Sequence, residues 1–447
     1  MFLMLAMNPK ACLFILLAAF LAALSSNAQE ATFKKLTAQA NDMYHLAKYA
    51  QAVHVGQEAL QVAQKTFGPS HREVATALGN LAEYQRAAGN YPEAETLQKQ
   101  ALLLDQKLLG SDHPDVAVDL NNLAMLYDSL GRYADAEPFY DQALQIDERA
   151  LGPDHPDVAT DLNNLAEAYR AEGKLKDAEP LFRRALAICE KHPDQNPRGI
   201  ATVLTNLGAL LAAQGKNAEA EQLLSRAVEK WRLAVPPFHP SLAATLRSLG
   251  SVQTSQHEYA KAETSFQQAL TIDEKAQARN GRQLAARDLT NLGLAFYEQR
   301  RYDDAESRFQ RTLTLDEESY GKEHLTVASD ANNLAEAYRA EGKYTSAEPL
   351  YRRAALIDEK LLGPDHPDLA NDLNNLGALY FSEGRYSDAE PVLKRALAIK
   401  QDAFGPNDPR LLQILDNYAI VLRALNRNTE AAAIDARMKE IRAKPTK

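Results

Sequence analysis

Apolar positions along this chain follow a helical beat that restarts about every forty residues. The segment Asp161-Leu-Asn-Asn-Leu-Ala-Glu-Ala-Tyr169 returns as Asp330-Ala-Asn-Asn-Leu-Ala-Glu-Ala-Tyr338 and as Asp372-Leu-Asn-Asn-Leu-Gly-Ala-Leu-Tyr380. With the second Asn as origin, the register points are Asn80, Asn122, Asn164, Asn206, Ser248, Asn291, Asn333, Asn375 and Asn417. Every step is 42 residues except one of 43, between Ser248 and Asn291, and a weaker tenth unit precedes them with Ala38 at its origin. Within each unit, apolar or small residues at −2, +1, +2 and +5 (Leu120, Leu123, Ala124 and Tyr127, for example) make the i, i+3, i+4, i+7 stripe of an amphipathic helix. Gly at +9 (Gly89, Gly131, Gly173, Gly215, Gly342, Gly384) predicts its stop in a left-handed residue. A second helix follows. It carries Ala at +14 in all ten units, from Ala52 to Ala431, where a methyl group lets two helices approach closely. Bulky pairs at +18 and +22, such as Tyr140 with Leu144 and Phe182 with Leu186, fill the space beyond. Pro138, Pro180, Pro349 and Pro391 are expected in the first turn of that helix, where a missing N–H costs least.

One such hairpin cannot bury its own apolar face, and stacking on its neighbours buries it continuously. Small residues at +2 and +14, aromatics at +5 and +11 and Ala at +21 resemble the tetratricopeptide repeat. The usual unit has 34 residues, and the eight extra ones form a connector such as Leu151-Gly-Pro-Asp-His-Pro-Asp157, which looks like the kinesin light chain variety. The expected fold is therefore all-α, a right-handed superhelical solenoid of about ten helix-turn-helix hairpins filling residues 29–442, ahead of a short tail, 443–447. The middle, 191–290, diverges: the connector is lost after Lys191, altered at Val235-Pro-Pro-Phe-His-Pro240, and extended by Arg279-Asn-Gly-Arg282. That stretch is either a specific binding region, with Trp231 and the inward Arg247 and Arg287, or a hinge in a tolerant array.

Positions −4, −1, 0 and +3 lie together opposite the core stripe. In the resembled family this face lines the inner wall of the superhelix and holds a partner. Here it carries Asn80, Asn122, Asn164, Asn206, Asn291, Asn333, Asn375 and Asn417 at the origin, and Asn121, Asn163, Asn332 and Asn374 at −1. A side-chain amide can pair with both the N–H and the C=O of an extended peptide. The alternative is that each Asn bonds the neighbouring repeat and fixes the stacking angle. At +6, Arg86, Arg170, Arg339 and Arg423 suit a carboxylate-bearing partner, or else local pairs with Glu83, Glu167 and Glu336 three residues earlier. The expected partner is thus a protein or peptide, held as an extended segment or a helix. Structural self-assembly, or service as an accessory subunit of an envelope enzyme, are the alternatives.

The ends and the charge refine this picture. Lys10, the apolar run Ala11 to Leu24 and Ser25-Ser-Asn-Ala28 read as an export leader, residues 1–28, cleaved after Ala28, and so as a periplasmic or secreted protein. Fourteen apolar residues fall short of a membrane span, so no stable membrane insertion is expected after cleavage. Beyond Cys12 in the leader there is one cysteine, Cys189, so no internal disulfide is expected in the mature chain. The formal charge of −10 is mixed along the chain, with no basic run that would suit nucleic acid. His71, His113, His155, His239, His324 and His366 share one connector position, usually before Pro, and so read as parts of a helix start and not as a metal set. The usual nucleotide, hydrolase and metal motifs are missing, and neither a cofactor nor catalysis is expected.

Overall fold

The computed structural model of the protein describes residues 28–44, 46, 48–191, 196–275 and 281–443. Most of the expected leader (1–27), Arg279 and Asn280 of the inserted segment and the last four residues of the tail lie outside the described residues. The described residues form α-helices joined by short turns, with no strand. They fall into two units. The first holds α1 (28–44), α2 (Tyr49–Phe67), α3 (Arg72–Ala88), α4 (Tyr91–Leu109), α5 (Pro114–Ser129), α6 (Tyr133–Leu151), α7 (Pro156–Ala171), α8 (Leu175–Lys191), α9 (Pro197–Ala213) and α10 (Asn217–Ala234). The second holds α11 (Pro240–Ser255), α12 (Tyr259–Lys275), α13 (Gly281–Glu298), α14 (Tyr302–Tyr320), α15 (Leu325–Ala340), α16 (Tyr344–Leu362), α17 (Pro367–Ser382) and α18 (Tyr386–Phe404). A 3-10 turn (Pro409–Leu411), α19 (Leu412–Ala424) and α20 (Asn428–Ala443) complete it. Each unit thus carries five repeats. Along each, a helix packs on the next in sequence, and the first helices of successive repeats, such as α5 with α7 and α15 with α17, also touch.

Inside a hairpin the closest approach is made by small residues. All ten Ala at +14 are buried, with at most 1% of their surface exposed. At +2 the space is tighter still: a Cβ added to Gly293 would stand 2.4 Å from the Phe309 ring, and one on Gly377 would stand 2.6 Å from Leu393 Cγ. Helix ends follow local chemistry. The connector His is an N-cap: Nδ1 of His113, His155, His239, His324 and His366 accepts the backbone N–H two residues on, at 3.1–3.3 Å. In the last connector Asp408 stands in the same place and accepts the N–H of Arg410 at 2.9 Å.

First helices end in paired backbone bonds around a left-handed residue. Lys174 N–H reaches Tyr169 O at 2.8 Å and Gly173 N–H reaches Arg170 O at 3.0 Å. Where the sequence lacks Gly at +9, the turn is still made: His257, Arg300 and Asn426 take φ of 60°, 59° and 65°. One expectation is corrected. Pro138, Pro180, Pro349 and Pro391 stand inside their helices, at the sixth residue and not in the first turn. The helix begins earlier because the chain leaves the left-handed turn already aimed along the next helix, and the +14 Ala must be helical to pack.

Candidate peptide-binding surface

The inner-face asparagines divide into two groups. Those at −1 are joined to the next repeat. Asn121 donates to Asp161 and Asn332 to Asp372, each at 2.5 Å, while Asn163 accepts from Asn206 at 3.0 Å and Asn374 accepts from Asn417 at 2.8 Å. Asn163 and Asn374 are buried. These amides therefore set the offset between successive first helices. The origin residues Asn80, Asn122, Asn291, Asn333 and Asn375 differ: they are half-buried, and their amides make no hydrogen bond among the described residues. Asn164 receives only a long bond, 3.4 Å, from Asn163. In the first unit, Asn80 and Asn122 open on a cavity of about 320 Å³ that is also lined by Thr76, Val118 and Glu83.

The arginines at +6 hold intrachain partners. Arg86 forks onto Glu83 at 2.7 and 2.6 Å and reaches Ser129 of the next repeat at 3.1 Å. Arg170 forks onto Glu167 at 3.0 and 2.8 Å. Arg339 grips Glu336 and Arg423 pairs with Asp435. Glu336 also accepts the hydroxyls of Tyr297 and Tyr351, at 2.7 and 2.6 Å. The Arg339 fork and the two hydroxyls hold its carboxyl below the usual range against the effect of burial.

Among the divergent residues, Arg247 is buried and its guanidinium bridges Asp273 and Asp288, reaching Asp288 at 3.3 Å. Arg287 is exposed, and burial of part of its side chain together with the nearby Arg247 lowers its pKa. Trp231 is buried and its indole N–H donates to Thr205 at 3.2 Å, so it serves the core of the first unit. Cys189 is buried too, and burial pushes its thiol up, away from the reactive thiolate. One acidic group has the spacing of metal ligands among the described residues, Asp303, Glu306 and Glu341. The Lys343 ammonium sits among them, 2.6 Å from Glu306, and supplies the positive charge.

A set of residues that sequence reasoning passed over lies beneath the inner face. Asp occupies −3 at Asp119, Asp161, Asp288, Asp330 and Asp372, and +25 of the preceding repeat at Asp105, Asp147, Asp273, Asp316 and Asp358. All ten are buried. The signal was there: an acid recurring with the period on the apolar stripe, between residues such as Val116 and Leu120.

The profile of the tetratricopeptide repeat family matches residues 32–102, 73–149, 129–191, 199–275, 284–355 and 328–402, well over half of the chain. No curated protein matches. Among solved structures, the chain is similar to BtubC (BKLC) from P. vanneervenii, with 26% identity over 51% of this chain and 93% of that one, and a TM-score of 0.44. A kinesin light chain from Podosopora anserina with nearly identical TPR-like repeats shares 25% identity over 46% of this chain and 98% of its own, with a TM-score of 0.40. A signal transduction ATPase with numerous domains and a tetratricopeptide repeat sensor, from Pyrococcus horikoshii, superposes with a TM-score of 0.59 at 16% identity, over 80% of this chain and 52% of that one. At that identity the likeness speaks for the fold alone. With the family profile spanning both units and a connector-bearing unit of 42 residues recurring in each, the chain belongs to the tetratricopeptide repeat family, with repeats of the kinesin light chain kind.

Proposed function

We propose that this protein is a non-catalytic scaffold that holds a polypeptide partner against the origin asparagines of a single unit. The observation that supports this is the contrast within one face. Amides at −1 are engaged between repeats, whereas Asn80, Asn122, Asn291, Asn333 and Asn375 are half-buried with both donor and acceptor unengaged. A half-buried amide gains most from a partner that offers backbone N–H and C=O groups. An extended segment offers both at regular intervals, which favours it over a helix, whose main chain is already paired. The arginines at +6 are neutralised by intrachain carboxylates, glutamates for Arg86, Arg170 and Arg339 and Asp435 for Arg423, and contribute packing and charge balance along the rim.

Peptides selected from a random extended library against the whole protein provide the test. Replacing Asn291, Asn333 and Asn375 with Ala is expected to weaken a selected peptide about 10-fold or more, that is by about 1.4 kcal/mol or more for the lost bonds together, with the helical circular dichroism unchanged. Undiminished binding by that variant would remove the asparagine row from the site. Export belongs to the same reading, argued from Lys10, the apolar run and the small residues before Gln29. N-terminal sequencing of protein recovered from the cell envelope tests it: a start at Gln29 supports export, and a start at the initiator Met counts against it.

A further inference from the structure

The two acidic positions beneath the inner face are coupled in a way that amide binding does not explain. Acids at +25 and −3 occur together at five repeat junctions and are absent together at the rest. The others carry Ala63 with Ala77, Cys189 with Val203, Trp231 with Thr245 and Lys400 with Ile414. No junction keeps a single acid.

At four junctions the two buried carboxyl groups lie beside each other across the helix pair: Asp105 with Asp119, Asp147 with Asp161, Asp316 with Asp330, and Asp358 with Asp372. In the first three pairs each acid has a buried oxygen that receives no N–H or hydroxyl, Asp147 Oδ1 and Asp161 Oδ2 or Asp316 Oδ1 and Asp330 Oδ2 for example, and in the fourth Asp372 Oδ2 is the same. Two carboxylates cannot share such a contact, but a carboxylic acid and a carboxylate can, because the acid supplies the missing donor. At the fifth junction Arg247 reaches both Asp273 and Asp288, so a fixed cation stands where the others need a proton.

We propose that the four uncapped pairs are proton-operated staples: each holds one shared proton that ties a second helix to the next repeat's first helix, and the stacking loosens as pH rises past neutrality.

The surroundings fit. Around Asp105 and Asp119 stand Gln98, Asp115, His113 and Arg72, the last already bonded to Asp115 at 2.5 Å. Around Asp147 and Asp161 are Asn121, Asp157 and His155. Asp316 and Asp330 face His324, and Asp358 and Asp372 face Asn332, Asp368 and His366. No group in these shells bonds a pair as Arg247 bonds the fifth. Burial, then the neighbouring acid, pushes Asp119 to about 7 and Asp330 to about 8. Burial is also the largest cause for Asp161 and Asp372, both raised to about 7 against the pull of the Asn121 and Asn332 amides.

The sign follows from linkage. Folded pKa values above the unfolded value mean that the native state holds protons the unfolded chain releases. The stabilisation is complete below about pH 4, the unfolded value, and is lost as pH rises through the folded values. Within that window each pair raises the unfolding equilibrium constant about tenfold per pH unit.

The test compares the protein with a variant carrying Asp119→Asn, Asp161→Asn, Asp330→Asn and Asp372→Asn, whose amides supply a permanent N–H to the facing carboxylate. Urea midpoints are measured from about pH 5.5 to about pH 8.5. The parent midpoint is expected to fall across this range and the variant midpoint to stay nearly level. An equal fall in both, or no fall in the parent, overturns the proposal. Should the variant not fold, infrared spectra of the parent decide. A protonated-carboxyl C=O band present at the acidic end and gone at the alkaline end supports shared protons, and its absence at the acidic end overturns them.

Discussion

A single side chain in this protein is defined by its register position as much as by its chemistry. Asn374 and Asn375 are adjacent and chemically identical, yet Asn374 is buried and accepts from Asn417 at 2.8 Å, whereas Asn375 makes no intrachain bond among the described residues. Removing one partner of a buried hydrogen bond leaves the other exposed to the full desolvation cost. Asn374→Ala is therefore expected to lower stability by about 1–3 kcal/mol, and Asn375→Ala to change it by less than about 0.5 kcal/mol. Paired urea titrations check this, and equal losses would refute the division of the face. The buried Arg247 poses the sharper case. Arg247→Met leaves Asp273 and Asp288 together without a cation, at an expected cost of about 3–5 kcal/mol. The cost should be smaller at acidic pH, where the pair can take up a proton instead. A loss independent of pH would mean that Arg247 acts through packing alone.

At the scale of the helix and its caps, two kinds of left-handed residue separate. Gly131 and Gly173 end first helices at φ of 69° and 79°, a region that Arg300 and His257 also enter. Gly363 ends α16 at φ 101° and ψ 163°, where side chains are essentially never accommodated. Gly363→Ala is thus expected to cost about 1–3 kcal/mol. Arg300→Gly, at an exposed turn of the same backbone shape as its glycine counterparts, is expected to gain about 0.5–1 kcal/mol. Thermal denaturation of the two variants gives both signs. The histidine caps belong to this scale as well. Their recurrence with the period marked them as helix starts, although the Nδ1 bond itself became visible only with the backbone in place.

Each unit as a whole behaves as a chain of nearest neighbours. A helix touches the next helix and the equivalent one in the adjoining repeat, so a local defect should stay local. Ala305, fully buried where α13 and α14 cross, is a suitable place to test this. Ala305→Leu is expected to destabilise by about 1–3 kcal/mol through overpacking. Hydrogen exchange should speed up in α13 to α15 and remain unchanged in α3 to α6 of the other unit. A uniform loss of protection over both units would show a single cooperative block in place of a repeat array.

The repeat, its two helices, the Ala contact at +14 and most of the turns were legible in the order of residues alone. Those features depend on residues within a few positions of one another, and a helix writes its buried face into the chain every three to four residues. Copying the pattern ten times removed any ambiguity about its period. Tertiary structure decided the rest: which asparagines are joined and which are open, where Arg247 lies, and that Asp105 meets Asp119. The paired acids are fourteen or fifteen residues apart, on two helices whose registers are independent until the turn between them fixes one against the other. Only then does a residue that reads as a polar interruption of the apolar stripe acquire a neighbour, and with it a proton to share.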